Sequence, residues 1–190
     1  MITTVSDLIA QLQQYPPDSR VGVEMLSDDP TDRAHLAFVE VLERMGCAVE
    51  WGADYVAVRG PDQLAGVDAD LGPISDTAQT LAAIAPFAAG PVTMRNLAHT
   101  RHQETDRLAA VARELRRLGG RVEERPDGLT IYPAALHAET VETYDDHRMA
   151  MSFALVGLRV PGVRIAAPGC VAKTCPRFFE RFGALTAAAL

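Results

Sequence analysis

Lysine is almost absent from this sequence. Of its 18 basic side chains, 17 are arginine and only Lys173 is lysine. Both residue types keep a surface hydrated, so surface chance is one explanation for a single lysine. Only lysine, however, can give up its proton near neutral pH when its surroundings favour the neutral amine. Lys173 is therefore the first candidate for acid–base chemistry.

Other absences narrow the class of protein. No apolar run reaches ~18 residues, so no transmembrane helix is expected, and the first residues lack the positive region of a signal peptide. The three cysteines, Cys47, Cys170 and Cys175, have no metal-site spacing and suggest a reducing cytoplasm. The net charge of -7 argues against general binding to nucleic acid or anionic membranes. We expect a folded, soluble, cytoplasmic protein without a metal.

An internal repeat organises what is present. Segment 42–60, LERMGCAVEWGADYVAVRG, matches segment 115–133, LRRLGGRVEERPDGLTIYP, at a constant offset of 73 residues. Each copy predicts the end of an amphipathic helix, a glycine stop and two short strands joined by a tight turn. In DRLAAVARELRRLGG the apolar residues recur at three- and four-residue steps, with arginines on the opposite face. Repeats of this kind indicate stacked supersecondary units.

A second, looser repeat extends the unit. Segments 74–94 and 143–165 each show an acidic start, an apolar helix, a Gly or Pro break and a short strand. Together the two repeats predict an α/β (α+β) fold of strand-helix-strand-helix-strand-strand (βαβαββ) units packed around inner helices. Residues 66–132 hold a full copy, 34–59 close an earlier one, and 140–186 open a later one.

The segment before residue 34 supplies part of the first unit. It predicts a helix from 6 to 14, a YPPDS turn and a strand over RVGVEM, residues 20 to 25. Only the first strand of that unit is missing. We interpret residues 1–190 as a single domain.

Reactive side chains concentrate at four predicted helix starts: Asp76, the segment RHQETDR (101–107), the segment TYDDHRMAM (143–151) and the surroundings of Lys173. Helix N-termini suit anions because their backbone N–H groups are free and the helix dipole is positive there. Helix capping is the plainer interpretation, and it applies to these acidic residues: Asp76, Glu104, Asp106, Asp145 and Asp146.

The arginines in these segments are harder to explain as caps. Arg107 and Arg148 lie in or near first helical turns, where the dipole disfavours a cation. The apolar run after Arg148 predicts burial, and a buried cation needs an anionic partner. That partner is either a bound carboxylate or phosphate, or a structural carboxylate such as Asp106 or Asp146. His147 fits a structural hydrogen bond or an acid–base group equally well.

The motifs also resemble a known family. ETDRLAAVARELRRLGGRVEE, TYDDHRMAMSFALVGL and APGCVAKTCPRFFERF are similar, in this order, to the C-terminal half of 3-phosphoshikimate 1-carboxyvinyltransferase (EPSP synthase). FVEVLERMGCAVEW and ISDTAQTLAAIAPFA add to a resemblance that runs from about 34 to 184, which leaves 1–33 as an atypical start. The related UDP-N-acetylglucosamine enolpyruvyl transferase shares the architecture, but these motifs are not expected of it.

The resemblance implies a fold and a reaction. Two globular halves of βαβαββ units face a cleft, and this chain corresponds to one half. The enzyme transfers the enolpyruvyl group of phosphoenolpyruvate to shikimate 3-phosphate and releases phosphate, without a cofactor. This reaction belongs to the shikimate pathway, which leads to chorismate and the aromatic amino acids. Weak binding of phosphoenolpyruvate or its competitor glyphosate is expected.

The resemblance also implies residue roles. Arg107 and Arg148 would clamp the phosphoenolpyruvate carboxylate, where bidentate geometry favours arginine. Lys173 would face the phosphate and bridging oxygen as an acid–base group, and Asp76 would take the 5-hydroxyl proton of shikimate. Glu104 would lie near the methylene carbon that is protonated. His147 would support the site by hydrogen bonding.

Two positions depart from the family pattern. Gln103 stands where many members carry lysine, and His99 where asparagine is expected. Both lie on the shikimate-phosphate side, so Gln103 is a substrate-binding candidate with a changed side chain. The resemblance covers about half of the family enzyme, so we expect the chain to be inactive or weakly active without an N-terminal half. The alternatives are a noncatalytic interaction domain and a homodimer with a pseudo-complete cleft.

Overall fold

The computed structural model describes residues 21–24, 30–52 and 55–187. The helix predicted over 6–14 and the turn that follows it lie outside these ranges. Within the described ranges, no helix is long and apolar enough to cross a bilayer.

The first sheet is formed by the earliest part of the chain. Helix α1 (Pro30–Arg44) is followed by the hairpin of β2 (Ala48–Trp51) and β3 (Tyr55–Arg59), and β1 (Val21–Glu24) pairs antiparallel with β3. The strand order is β1-β3-β2. The predicted strand over 20–25 and the hairpin over 47–59 are therefore confirmed.

The second sheet contains the full copy predicted over 66–132. Its elements are β4 (Val67–Asp70), α2 (Ala78–Ile84), β5 (Val92–Arg95), α3 (Arg107–Arg117), β6 (Arg121–Arg125) and β7 (Gly128–Tyr132). The strand order is β4-β5-β7-β6, with β4 and β5 parallel and the other pairs antiparallel. The βαβαββ order is the one that the repeat predicts.

The third unit repeats the parallel half of the second. Strands β8 (Thr140–Val141) and β9 (Arg164–Ile165) are parallel and are joined through α4 (His147–Ala154), and α5 (Phe178–Ala187) follows β9. The loose similarity between 74–94 and 143–165 thus corresponds to two strand–helix–strand connections of the same kind.

The offset of 73 residues is visible in the strand register. Val49 pairs with Val58 in the first sheet, and Val122 pairs with Ile131 in the second, each partner displaced by the same number. The glycine stops correspond as well, because Gly46 and Gly119 have φ angles of 98° and 92° at the ends of α1 and α3. This left-handed conformation suits glycine, and it lets the following N–H groups bond back to the last helical turn.

Two short helices form the centre of the domain. All seven residues of α2 are buried, and seven of the eight residues of α4 are buried as well. The two helices pack together, and the hydroxyl oxygens of Thr80 and Ser152 lie 3.1 Å apart between them. Both helices are thus enclosed by the rest of the domain on nearly all sides, so the prediction of inner helices is confirmed.

Three 3₁₀ segments follow strands of the parallel pairs and were not expected from the sequence. They are Gly72–Thr77 after β4, Ala98–His102 after β5, and Pro168–Lys173 after β9. The carboxyl ends of parallel strands lie at one edge of a sheet, where binding residues commonly gather. These segments deliver Asp76, the loop before Arg107, and Lys173.

Candidate functional site

Arg107 begins helix α3 and is almost fully buried. Its residue is 3% exposed. Asp106 precedes it as the helix cap and accepts a hydrogen bond of 3.0 Å from the backbone N–H of Ala109. Capping is thus the correct explanation for Asp106, but not for the arginine that follows it. A cation at a helix N-terminus needs compensating anions.

Four side chains surround the Arg107 guanidinium. Its Nε donates to Asp146 Oδ2 at 2.8 Å, Nη2 to Glu104 Oε2 at 2.9 Å, and Nη1 to Asp76 Oδ1 at 3.2 Å. Nη1 also donates to the amide oxygen of Gln103. Three carboxylates from three separate parts of the chain therefore meet at one guanidinium.

Asp146 connects the starts of two helices. It is 0% exposed; its Oδ1 accepts from the backbone N–H of Arg148 at 2.8 Å as the cap of α4, while Oδ2 accepts from Arg107. One buried carboxylate therefore holds the first turn of α4 against the first residue of α3. Such a buried pair is costly to break, because the remaining charge has no solvent.

Arg148 has a different anionic partner from those expected. Its Nη2 donates to Asp76 Oδ2 at 2.8 Å and its Nη1 to the Asp76 backbone oxygen at 3.2 Å. The expectation of Asp106 or Asp146 as its structural partner is wrong at the side chain, because Asp106 pairs with Arg101 and Asp146 with Arg107. Its side chain is also 33% exposed rather than buried. Partial burial lowers the Arg148 pKa, against the opposing effect of Asp76.

Lys173 reaches the same cluster from the last 3₁₀ segment. Its Nζ donates to Glu104 Oε1 at 2.7 Å, and its side chain is 62% exposed. The hydrogen bond from Lys173 is the main reason why the pKa of Glu104 falls to about 2. Glu104 is therefore a carboxylate at neutral pH, and it links the ammonium of Lys173 to the guanidinium of Arg107.

His147 lies beside the cluster with a buried ring nitrogen. The residue is 5% exposed, and its Nδ1 has no hydrogen-bond partner among the described residues; Asp146 Oδ1 lies 4.0 Å away. Burial, and then the charge of Arg148, lower the pKa of His147. The imidazole is consequently neutral at neutral pH, and its buried Nδ1 is without a hydrogen bond to the part of the chain that the structure describes.

The remaining capping interpretations are wrong. Asp76 lies inside the 3₁₀ segment whose N-cap residue is Leu71, and it makes no cap; its side chain bonds the two arginines instead. Glu104 and Asp145 precede the actual caps, Asp106 and Asp146. The sequence alone placed all five acids near helix starts, and long-range contacts decide which of them cap.

The structure brings together every site residue proposed from the sequence: Asp76, Gln103, Glu104, Arg107, His147, Arg148 and Lys173. Three cations alternate with three carboxylates, counting Asp146. Arginine forks beside an ammonium suit a ligand that carries a carboxylate and a phosphate.

Arg101 supports this site and was missed in the sequence. Its guanidinium bonds both oxygens of Asp106 at 3.0 and 2.9 Å, Glu124 Oε1 at 3.0 Å, and the backbone oxygens of Arg125 and Pro126 at 2.7 and 2.9 Å. It thus attaches the loop that carries Glu104 to the β6–β7 hairpin. No local pattern indicates this, since its partners at 124–126 lie more than 20 residues away.

Comparison with known proteins defines the class first. The structure matches EPSP synthase from Acinetobacter baumannii with a TM-score of 0.79 over 97% of this chain and 44% of that one, at 24% identity. It also matches the enolpyruvyl transferase NikO from Streptomyces tendae, with a TM-score of 0.73 over 97% of this chain and 43% of the other, at 22% identity. The chain is therefore a mixed α/β domain that has part of the enolpyruvyl transferase fold.

The sequence defines the family. Residues 17–182 match the family model of EPSP synthase (3-phosphoshikimate 1-carboxyvinyltransferase), and the chain belongs to this family. It is 56% identical over 163 residues to the 3-phosphoshikimate 1-carboxyvinyltransferase of Nostoc punctiforme, covering 86% of this chain and 38% of that protein. For the protein of the same name from Edwardsiella ictaluri the identity is 53% over 149 residues, covering 78% and 35%. The chain thus spans little more than a third of these relatives.

Proposed function

We propose that this chain is the phosphoenolpyruvate-side half, corresponding to the C-terminal half, of an enolpyruvyl transferase that converts shikimate 3-phosphate and phosphoenolpyruvate to EPSP and phosphate. The observation that carries the proposal is the convergence of Arg107, Arg148 and Lys173 on one site, each paired with an acid from a distant segment. A domain that only has to fold gains little from three cations and three carboxylates at one edge. The complete reaction then also needs the N-terminal half, which would form the other side of the substrate cleft.

The arginines are assigned to the carboxylate of phosphoenolpyruvate. Arg148 is the more accessible of the two, with a third of its side chain exposed, whereas Arg107 is held in place by Asp146. A planar guanidinium can bond both oxygens of a carboxylate, which a lysine cannot do. Lys173, exposed at the rim, would meet the phosphate and the bridging oxygen.

Glu104 and Lys173 are assigned to proton transfer. With a pKa of about 2, Glu104 carries no proton at neutral pH and so cannot protonate the methylene carbon by itself. Lys173 lies 2.7 Å away and has a proton to give. The proton would pass from the ammonium through the carboxylate to carbon, leaving a neutral amine that can accept a proton later.

Asp76, Gln103 and His147 complete the assignment. Asp76 would accept the proton of the shikimate 5-hydroxyl, and Gln103 would contribute to binding shikimate 3-phosphate. His147 would support the site by hydrogen bonding, as a neutral imidazole. Residues 1–190 would form one domain, with no cofactor.

Turnover with and without a complementary half tests this function. The chain is incubated with both substrates, alone and mixed with a separately produced N-terminal half of a related enzyme, and product is followed by phosphorus NMR. We expect EPSP and phosphate only in the mixture, and strong loss of activity with Lys173→Met. Full activity of that variant in the mixture would refute the role of Lys173. Activity of the chain alone would point to self-association, which size measurement in solution would detect.

A noncatalytic interaction domain is the second candidate, and one observation favours it. Gln103 departs from the lysine of the family pattern, so at this position an uncharged amide, whose oxygen accepts a bond from Arg107, replaces a cation that could bind a substrate phosphate. If the folded chain gives no product either alone or mixed with the N-terminal half, the face that carries the charged cluster would instead bind a protein partner.

A further inference from the structure

Asp76 occupies the position between the two arginines that an incoming carboxylate needs. Its Oδ1 lies 3.2 Å from Arg107 Nη1, and its Oδ2 lies 2.8 Å from Arg148 Nη2. Each oxygen of one planar carboxylate therefore bonds a different guanidinium. A substrate carboxylate that bridged the same two arginines would make the same pair of bonds.

Arg107 has no accessible donor left for a second carboxylate. The Nε of Arg107 serves Asp146, its Nη1 serves Asp76 and Gln103, and its Nη2 serves Glu104. With 3% of the residue exposed, no further face of this guanidinium is open to solvent. A ligand can bond Arg107 only if one of its present partners leaves.

Asp76 is the partner best placed to leave. Asp146 is fully buried and also caps α4, and Glu104 is additionally bonded to Lys173. Asp76 is 39% exposed, and its side-chain bonds go to the two arginines. It also lies in a 3₁₀ segment interrupted by non-helical backbone at Ile74 (φ -130°, ψ 36°).

We propose that Asp76 is an internal stand-in for the substrate carboxylate and is displaced by it when the ligand binds. The inference rests on the proposed function for the identity of the ligand. We call the guanidinium groups of Arg107 and Arg148 the arginine clamp. The exchange replaces one carboxylate by another between these two cations, so the number of carboxylates bound to the clamp does not change.

This exchange lowers the observed affinity for the ligand, because the clamp must open before it can bind. Asp76→Asn keeps the shape of the side chain and removes its charge, so the competitor is weakened. We expect phosphoenolpyruvate to bind this variant about tenfold more tightly than the unmodified chain. Asp145→Asn is the matched control, since Asp145 is exposed, lies near the site and makes no ion pair with a described residue. It removes the same charge without opening the clamp.

The measurement is a titration of the 190-residue chain and both variants with phosphoenolpyruvate, followed through the arginine side-chain N–H signals by NMR. Tighter binding by Asp76→Asn than by Asp145→Asn supports the exchange. Equal affinity in all three proteins, or weaker binding by Asp76→Asn, overturns it and leaves the proposed function standing. Asp76→Ser serves as a second removal if the asparagine variant does not fold.

Absence of phosphoenolpyruvate binding in every protein would instead contradict the proposed function. The exchange would then be judged with acetate, whose carboxylate alone is enough to compete with Asp76. Stronger acetate binding by Asp76→Asn than by Asp145→Asn would support the exchange. It would mean that Asp76 occupies an anion-binding site whose ligand is not phosphoenolpyruvate. No difference between these variants, or arginine N–H signals that are the same with and without the Asp76 charge, would overturn the exchange.

Discussion

The starts of α3 and α4 have the same ingredients and use them differently. Each begins with an aspartate cap, Asp106 or Asp146, and each brings an arginine to the site. Arg107 is 4% exposed in its side chain and is enclosed by carboxylates, whereas Arg148 is 33% exposed and bonds one. The same residue type therefore serves as a fixed support at one helix and as an accessible donor at the other.

The caps explain this difference. Asp106 faces outward to Arg101 on the β6–β7 side, while Asp146 is turned inward and is shared with Arg107. The α4 cap thus positions the α3 arginine, but the α3 cap does not position the α4 arginine. The site accordingly has a rigid side and a side that can respond to a ligand.

The largest expected effect comes from removing the rigid arginine. Arg107→Met leaves the fully buried Asp146 carboxylate without its cation, so we expect the free energy of unfolding to fall by about 3–5 kcal/mol. Arg148→Met leaves only the half-exposed Asp76 behind and should cost about 1 kcal/mol or less. Urea unfolding of both variants measures this.

If the free energy of unfolding fell by a similar amount in Arg107→Met and Arg148→Met, the two helix starts would not differ in rigidity as described. As a further check, the double variant Arg107→Met with Asp146→Asn should recover part of the loss, because the buried charge is gone.

A smaller effect is expected at Arg101. Arg101→Lys keeps a cation but cannot reach two carboxylates and two backbone oxygens together, so we expect a loss of about 1–2 kcal/mol. Because this arginine holds the loop of Glu104, the variant should also weaken phosphoenolpyruvate binding. Arg164→Lys, at an exposed arginine of β9 in a different sheet, is the control and should change neither quantity. If Arg101→Lys bound phosphoenolpyruvate as well as the unmodified chain does, the loop that carries Glu104 would keep its position without the hydrogen bonds of Arg101.

The pair between Glu104 and Lys173 should appear as a pH effect. Since the folded pKa of Glu104, about 2, is below its usual 4.5, its contribution to stability is present above pH 4.5 and is lost as the pH falls toward 2. The exposure of Lys173 keeps this contribution below about 1 kcal/mol. Carbon NMR of the carboxyl group measures the titration, and Lys173→Met should raise the Glu104 pKa. A Glu104 pKa that is ordinary in the unmodified chain would contradict the pairing.

The smallest effect concerns His147. Its folded pKa lies below the usual 6.5 because the ring is buried, so its contribution to stability is present above that pH and is lost as the pH falls below it. Arg148→Gln removes the second cause and should raise the pKa of His147 slightly, whereas Arg159→Gln, a control at another surface, should not. Histidine ring NMR follows both. An unmodified chain in which His147 titrates above its usual value would exclude a neutral imidazole at this helix start.

The sequence was most informative where structure is local and periodic. The apolar spacing of α3, the glycine stops at 46 and 119 and the 73-residue offset predicted helices, hairpins and their order. These features depend on neighbouring residues, so a repeat in the sequence becomes a repeat in the backbone. The 3₁₀ segments were not predicted, because a short turn has too few residues to show a period.

The site was predictable in its members but not in its pairing. The family motifs indicated Asp76, Glu104, Arg107, Arg148 and Lys173 together. That Asp76 bonds Arg148, 72 residues later, depends on how α2 packs against α4. Asp146 was predicted as a helix cap or as a carboxylate partner for an arginine, and it is both, as the cap of α4 and the partner of Arg107. Which arginine it bonds depends on how the two helix starts meet, and nothing local in the sequence shows that.

Because Lys173 is the one lysine in the sequence, it can be labelled selectively. Apart from the N-terminal amine, an amine-selective acylating reagent meets a single side chain in the sequence, Lys173. That side chain is 62% exposed at the rim of the charged cluster. A fluorophore, isotope label or crosslinker attached through the ε-amino group would therefore report from one defined place. The scarcity of lysine thus turns a common, unselective labelling reaction into a site-directed one.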